Sequence, residues 1–173
     1  MKTVIKQLEP PDSFHLSAAQ GWLELGNHLE ANEELEKIAP LFRAHPDVLE
    51  IRWQIYANEK KWIACIEIGQ TLTKIAPSRA PNWIHYSFAL HELKQTEEAK
   101  ENLLPIVKRF PKDWRIPYNL SCYCSQLNQF EEAQKWFKQA MAIDEKAVIN
   151  DALDDLDLKP LWVSMGGTIW KLE

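Results

Sequence analysis

The chain has no excess of basic residues, no long apolar run and few cysteines, and each lack removes a class of protein. Twenty Lys and Arg stand against 25 Asp and Glu, giving a formal net charge of −5 and a pI of about 5.6. Such a balance makes no cationic field that gathers phosphates, so nucleic acid is not expected as a partner. No stretch approaches the roughly 18 apolar residues of a membrane span, so no membrane partner is expected either. The opening MKTVIKQLEPPDSFHL lacks the apolar core of a signal peptide. Three cysteines, Cys65, Cys122 and Cys124, build no disulfide framework and suit a reducing compartment. A cytoplasmic location is the expectation. Glycine is scarce as well: five glycines and ten prolines are few enough to read as punctuation between regular segments.

What is present is a repeat. Ala31, Cys65, Ala99 and Ala133 are each 34 residues apart, and four residues after them come Leu35, Gly69, Leu103 and Phe137. Eleven residues before them stand Gln20, Gln54, Phe88 and Cys122, followed two residues later by Trp22, Tyr56, Leu90 and Cys124. A period of this length signals stacked supersecondary units, none of which buries its apolar face alone. The spacing predicts a leader over 1–11, four units over 12–45, 46–79, 80–113 and 114–147, a C-terminal cap over 148–165 and a flexible tail over 166–173. Each unit reads as two helices joined by a short turn, the turns falling at Gly26-Asn27, Glu59-Lys60, Leu93-Lys94 and Leu127-Asn128. Asp12-Ser13 offers oxygens to cap the first helix. Glu33-Glu34, Glu97-Glu98 and Glu131-Glu132 fall in the early turns of the second helices, where the helix dipole favours negative charge, and Lys108-Arg109 suit a later turn. The small residue at 31, 65, 99 and 133 admits close helix approach. Trp22, Tyr56, Trp62, Trp83, Phe130 and Phe137 supply apolar area, each worth roughly 1.5 to 3 kcal/mol when buried. Trp136 stands apart, because its counterparts Glu34, Ile68 and Asn102 are not uniformly apolar.

This pattern resembles the tetratricopeptide repeat, W-x2-L-G-x2-Y then A-x3-F then P over 34 residues. The third unit matches best, with Trp83, Tyr86, Ser87, Leu90, Ala99, Leu103 and Pro111. The fourth has Pro117, Leu120, Ser121, Cys124, Ala133 and Phe137, but Glu145 stands where proline is usual. The second carries Leu49, Arg52, Trp53, Tyr56, Cys65, Gly69 and Pro77. The first diverges most, keeping His15, Ala18, Ala19, Trp22, Ala31 and Leu35. The resemblance implies an all-α fold, a right-handed solenoid of four helix-turn-helix units closed by a C-terminal capping helix.

Arrangements that would carry catalysis fail on geometry, and no enzyme, cofactor or metal is expected. Cys122 and Cys124 lie two apart in one helix, so they point about 200° away from each other. His85 and His91 are separated by about 120° around their helix, with no third ligand nearby. No phosphate loop, HExxH or nucleophile elbow is present. The acidic run Asp151, Asp154, Asp155 and Asp157 lacks calcium-loop spacing and reads as a solvated cap.

In a stack of such pairs the first helices line a concave face, and the resemblance implies that this face binds an extended peptide or a partner's helix. Carried onto this chain, the groove positions are Leu16, Gln20 and Leu23 in the first unit and Glu50, Ile51, Gln54 and Asn58 in the second. The third unit contributes Ile84, His85, Phe88 and His91, and the fourth Arg115, Tyr118, Asn119, Cys122 and Gln126. Amides suit a peptide backbone, Phe88 and Tyr118 offer flat contact, and Arg115 is a cation for a carboxylate. Some family members hold a chaperone's C-terminal carboxylate with two lysines, an arginine and two asparagines. Here those sites carry Leu16, Gln20, Ile51, Pro81 and His85, or Glu50, Gln54, His85, Arg115 and Asn119 one unit later. Such tails are therefore not expected ligands. The function expected is a non-catalytic scaffold or adaptor for a protein or peptide partner. Two other classes stand beside it: a dedicated chaperone for one client, and a homo-oligomeric module joined through Trp136, Trp162 or Trp170. No sequence feature calls for the oligomer.

Overall fold

The computed structural model describes residues 7–167; residues 1–6 of the leader and 168–173 of the expected tail, Trp170 included, lie outside the described residues. All regular structure among the described residues is helical. In chain order the helices are α1 (Asp12–Glu24), α2 (His28–Lys37), α3 (Pro46–Asn58), α4 (Trp62–Ile75), α5 (Ala80–Glu92), α6 (Thr96–Leu103), α7 (Arg115–Gln126), α8 (Phe130–Ile143), α9 (Glu145–Ala152) and α10 (Lys159–Ser164). Short 3-10 turns stand at Pro40–Phe42, Leu104–Ile106 and Leu156–Leu158. The chain divides into two compact units between Ala89 and Leu90. Within the first, α1 packs on α2 and α3, and α3 on α4. Within the second, α7 packs on α6 and α8, α9 packs on α8, and α10 lies against α7 and α8.

Periodicity in the sequence becomes periodicity in backbone torsion. Gly26, Lys60, Lys94 and Asn128, 34 residues apart, all adopt left-handed φ, at 76°, 56°, 65° and 59°. Each ends a first helix with the same pair of hydrogen bonds. The N–H of the left-handed residue reaches back to Leu23, Ala57, His91 or Ser125. The N–H of the next residue reaches Trp22, Tyr56, Leu90 or Cys124, at 2.8–3.0 Å. Both bonds satisfy carbonyls that the end of a helix would otherwise orphan. The second helices then start at His28, Trp62, Thr96 and Phe130, in unbroken register.

Close packing follows from what stands one turn further on. Ala31, Cys65, Ala99 and Ala133 are fully buried, as are Leu35 and Leu103. Gly69 occupies the equivalent of those leucines, and a β-carbon there would meet Tyr86 Cβ at 2.8 Å and Tyr86 Cα at 2.9 Å. Glycine at 69 is therefore what lets α4 approach α5. Buried Asn82 joins the same pair: its Nδ2 donates to the carbonyls of Ala76 (2.9 Å) and Leu72 (3.4 Å), closing the end of α4.

Several expectations are corrected. Asp12 does not cap α1; it is the helix's first residue, and its buried Oδ1 accepts from the Ala39 N–H at 2.7 Å, tying α1 to the loop after α2. Glu33-Glu34 lie in the middle of α2, whose first-turn acid is Glu30 and whose cap is Asn27. Lys108-Arg109 lie beyond α6, which stops at Leu103 because Pro105 has no N–H to continue the ladder. Pro117 does no such harm in the first turn of α7, where that N–H has no intrahelical acceptor. Trp22 is 38% exposed, since α1 has a helix pair on one side only among the described residues. Trp162, a candidate oligomer contact, is buried edge-on against Phe137 at 5.1 Å, whereas Trp136 is half-buried.

Two substitutions test this account. Lys60→Gly and Lys94→Gly each raise stability by about 0.5–1 kcal/mol, because left-handed backbone costs a residue with a β-carbon about 1–2 kcal/mol and glycine returns part of that as chain entropy. Gly69→Ala lowers stability by about 1–3 kcal/mol through overpacking against Tyr86. Urea unfolding with an unchanged m-value reads both.

Candidate functional site

The predicted ligand-facing residues divide between the two units. In the first unit Gln20 and Asn58 are exposed, while Leu23, Glu50, Gln54, His85 and Phe88 are half-buried. Ile51 and Ile84 are buried and belong to the interior; in the helical register they stand beside residues that face out. Two of these rings pack on tryptophans: His85 stacks on Trp53 with centroids 4.1 Å apart and planes 7° from parallel, and Phe88 meets Trp62 edge-on at 5.7 Å. Glu50 receives Arg79 Nη1 at 3.4 Å, and the same guanidinium holds Asp47 at 2.5 Å. Burial raises the pKa of Glu50 despite that cation. Gln20 donates to Glu24 at 3.2 Å, and Asn58 donates to the Gln54 carbonyl at 2.9 Å.

In the second unit the surface is occupied by the chain itself. Tyr118 and Cys122 on α7 are buried, and their donors converge on Asp155 Oδ2, at 2.7 Å from the phenol and 3.5 Å from the thiol. Gln126 Nε2 donates to the Asp157 carbonyl at 3.0 Å. Buried His91 meets Asp157 Oδ2 at 3.0 Å through Nε2 and Thr96 Oγ1 at 3.0 Å through Nδ1. A carboxylate only accepts, so Nε2 carries the hydrogen, and in the neutral imidazole Nδ1 accepts from the threonine hydroxyl. Asp155 also caps its own turn, accepting from the Asp157 N–H at 2.9 Å. Two residues of the acidic run that read as solvated are thus bound on α7. Desolvation, then the neighbouring Cys122 and Asp155, push the Tyr118 phenol well above its ordinary range, so it remains a donor. Arg115 is exposed but already engaged: Nε and Nη2 take both oxygens of Asp113, at 2.8 and 2.6 Å. Asn119 turns back to the Arg115 carbonyl at 2.7 Å.

Sequence reasoning missed Asp155 and Asp157 as site residues. They lie 37 and 31 positions beyond Tyr118 and Gln126, in a 3-10 turn that no helical period describes. Cys122 faces Asp155, while Cys124 is buried elsewhere on α7. Among the described residues no three His, Cys, Asp or Glu side chains are placed to hold a metal ion, and no helix is long and apolar enough to cross a membrane.

Comparison with known proteins bears on the fold. The family model described as tetratricopeptide repeat matches residues 116–147, the stretch from α7 into α9. The thermophilic repeat protein TTC0263 of Thermus thermophilus superposes with a TM-score of 0.74 at 18% identity, covering 90% of this chain and 84% of that one. The chain has the tetratricopeptide-repeat fold, and its residues 116–147 match that repeat's family model. PilF of Pseudomonas aeruginosa matches with a TM-score of 0.73 at 19% identity, over 90% of this chain and 69% of that one. MamA from Desulfovibrio magneticus RS-1 gives 0.70 at 17%, over 93% and 97%. These likenesses establish the tetratricopeptide fold; no curated protein sequence matches the chain.

The cysteines give a chemical test. Burial pushes the thiols of Cys65 and Cys124 up to about 11 and that of Cys122 well above its ordinary value. Thiolate is the reactive form. A disulfide reagent at pH 7.5 should therefore titrate no cysteine in the folded chain and all three in denaturant.

Proposed function

We propose that this chain is a non-catalytic scaffold that holds an extended peptide segment of a protein partner on the ligand-facing side of its first helices. The observation that carries this reading is the first unit's face. There α1 and α3 pack together and carry Gln20, Gln54 and Asn58 outside the core, and α5 carries the half-buried rings of His85 and Phe88. Amides supply both a donor and an acceptor, which is what an extended backbone requires, and flat rings accept side chains of many shapes. Nucleic acid has no part in this reading, since the net charge of −5 opposes phosphate.

The reading is tested by comparing what the natural chain and the triple variant Gln20→Ala/Gln54→Ala/Asn58→Ala retain from a lysate of the source cells, with bound proteins identified by mass spectrometry. All three side chains lie outside the core, so the helical circular dichroism stays unchanged. The expected result is a protein retained by the natural chain and reduced at least about tenfold by the variant, corresponding to about 1.4 kcal/mol. Equal retention by both chains would remove this face from the reading. If the retained protein is insoluble without the chain, the role is that of a dedicated chaperone.

A further inference from the structure

In the second unit a stretch of the chain lies where the proposed reading puts a ligand. Between α9 and α10, Asp154–Leu158 leaves the α-helix, makes the short 3-10 turn and packs on α7. It is gripped by side chains: Tyr118, Cys122 and His91 donate to the carboxylates of Asp155 and Asp157, and Gln126 donates to the Asp157 carbonyl. Leu158 is fully buried, whereas Leu156 is 77% exposed and Asp154 faces solvent. A covering element held by helix packing buries an apolar stripe. This one buries one leucine and places two acids against buried donors, which is how a peptide is recognised rather than how a helix is packed.

We infer that the α7 face is a recognition site for an acidic peptide segment bearing aspartates two residues apart followed by an aliphatic anchor, and that Asp154–Leu158 is its resident occupant, displaced when such a segment of a partner protein binds. The inference rests on the proposed reading that first helices of this fold present peptide-binding faces. The donor set selects the chemistry. Tyr118, Cys122 and the Nε2–H of His91 all need acceptors, so a ligand without carboxylates leaves buried donors unpaired. Beside the face, Trp114, edge-on to Tyr118 at 5.6 Å, shares a surface pocket with Lys112 and with the Arg115–Asp113 ion pair, so Lys112 is the cation there that Asp113 does not pair. A tethered occupant acts at an effective concentration of order mM, so a partner's apparent affinity falls by the fraction of time the face is closed.

The test uses a labelled peptide with the sequence of residues 153–159, LDDLDLK, titrated into the natural chain and into Asp155→Ala/Asp157→Ala by fluorescence anisotropy. Opening the resident segment should tighten binding at least about tenfold. Adding Tyr118→Phe should remove that gain, and a peptide with both aspartates changed to asparagine should bind neither chain. A folded double variant that binds no better than the natural chain overturns the inference. Should that variant not fold, hydrogen exchange on the natural chain decides. Amides of 155–158 should exchange at least about tenfold faster than those of α7, through local opening. Exchange only together with α7, in global unfolding, also overturns it. The Gln20→Ala/Gln54→Ala/Asn58→Ala variant should bind the peptide as the natural chain does. Failure of the first-unit reading and failure of this one are therefore told apart.

Discussion

One position in every 34 must be small, because there the second helix of a pair comes close to the first. Ala31, Cys65, Ala99 and Ala133 are fully buried, and each begins its hydrogen bonding from the residue just after the left-handed turn. A larger side chain would push the helices apart and break the packing of Leu35, Leu72, Leu103 or Phe137 behind it. The turn and the small residue depend on each other. Reversal through Gly26, Lys60, Lys94 or Asn128 aims the second helix, and the small residue lets it settle.

At the C-terminal end a second constraint acts, the need to satisfy buried donors. Tyr118, Cys122 and His91 are too buried to use solvent, and each unpaired donor would cost about 1–3 kcal/mol. Asp155 and Asp157 answer them, so this acidic stretch of the chain is partly interior. Glu145, where the repeat usually has proline, begins α9, capped by Asp144 at the Ala147 N–H (3.0 Å). The chain then returns to α7 instead of continuing outward. Leu161 N–H donates to buried Ser125 Oγ at 3.1 Å, and Trp162 covers Phe137. This segment therefore closes the apolar side of α8 and occupies α7 with the same few residues.

Local order was readable in the sequence and tertiary direction was not. Helices α1, α3 and α5 begin at Asp12, Pro46 and Ala80 as the register predicts, and α7 begins at Arg115, one residue after the expected Trp114. The turns fall where expected, although two of the four left-handed positions hold lysine and carry no turn signal of their own. The early stop of α6 was legible in Pro105 but hidden by the repeat, which made Lys108-Arg109 look like a last turn. Of the candidate site, Gln20 and Asn58 are accessible and Ile51 and Ile84 are not, a difference helical spacing does not resolve because neighbouring register positions straddle the edge of the packed face.

The sequence alone determined everything that depends on spacing: the all-helical class, the 34-residue period, the turn positions and the small contacts, since those interactions join residues a few turns apart. Only the tertiary structure decided which polar groups meet across 31 to 66 residues: Gln126 with Asp157, Tyr118 with Asp155, and His91 with Asp157. No period encodes such pairs. They exist because an irregular segment is returned onto α7 by packing, and its direction is set by the last helices rather than by its own residues.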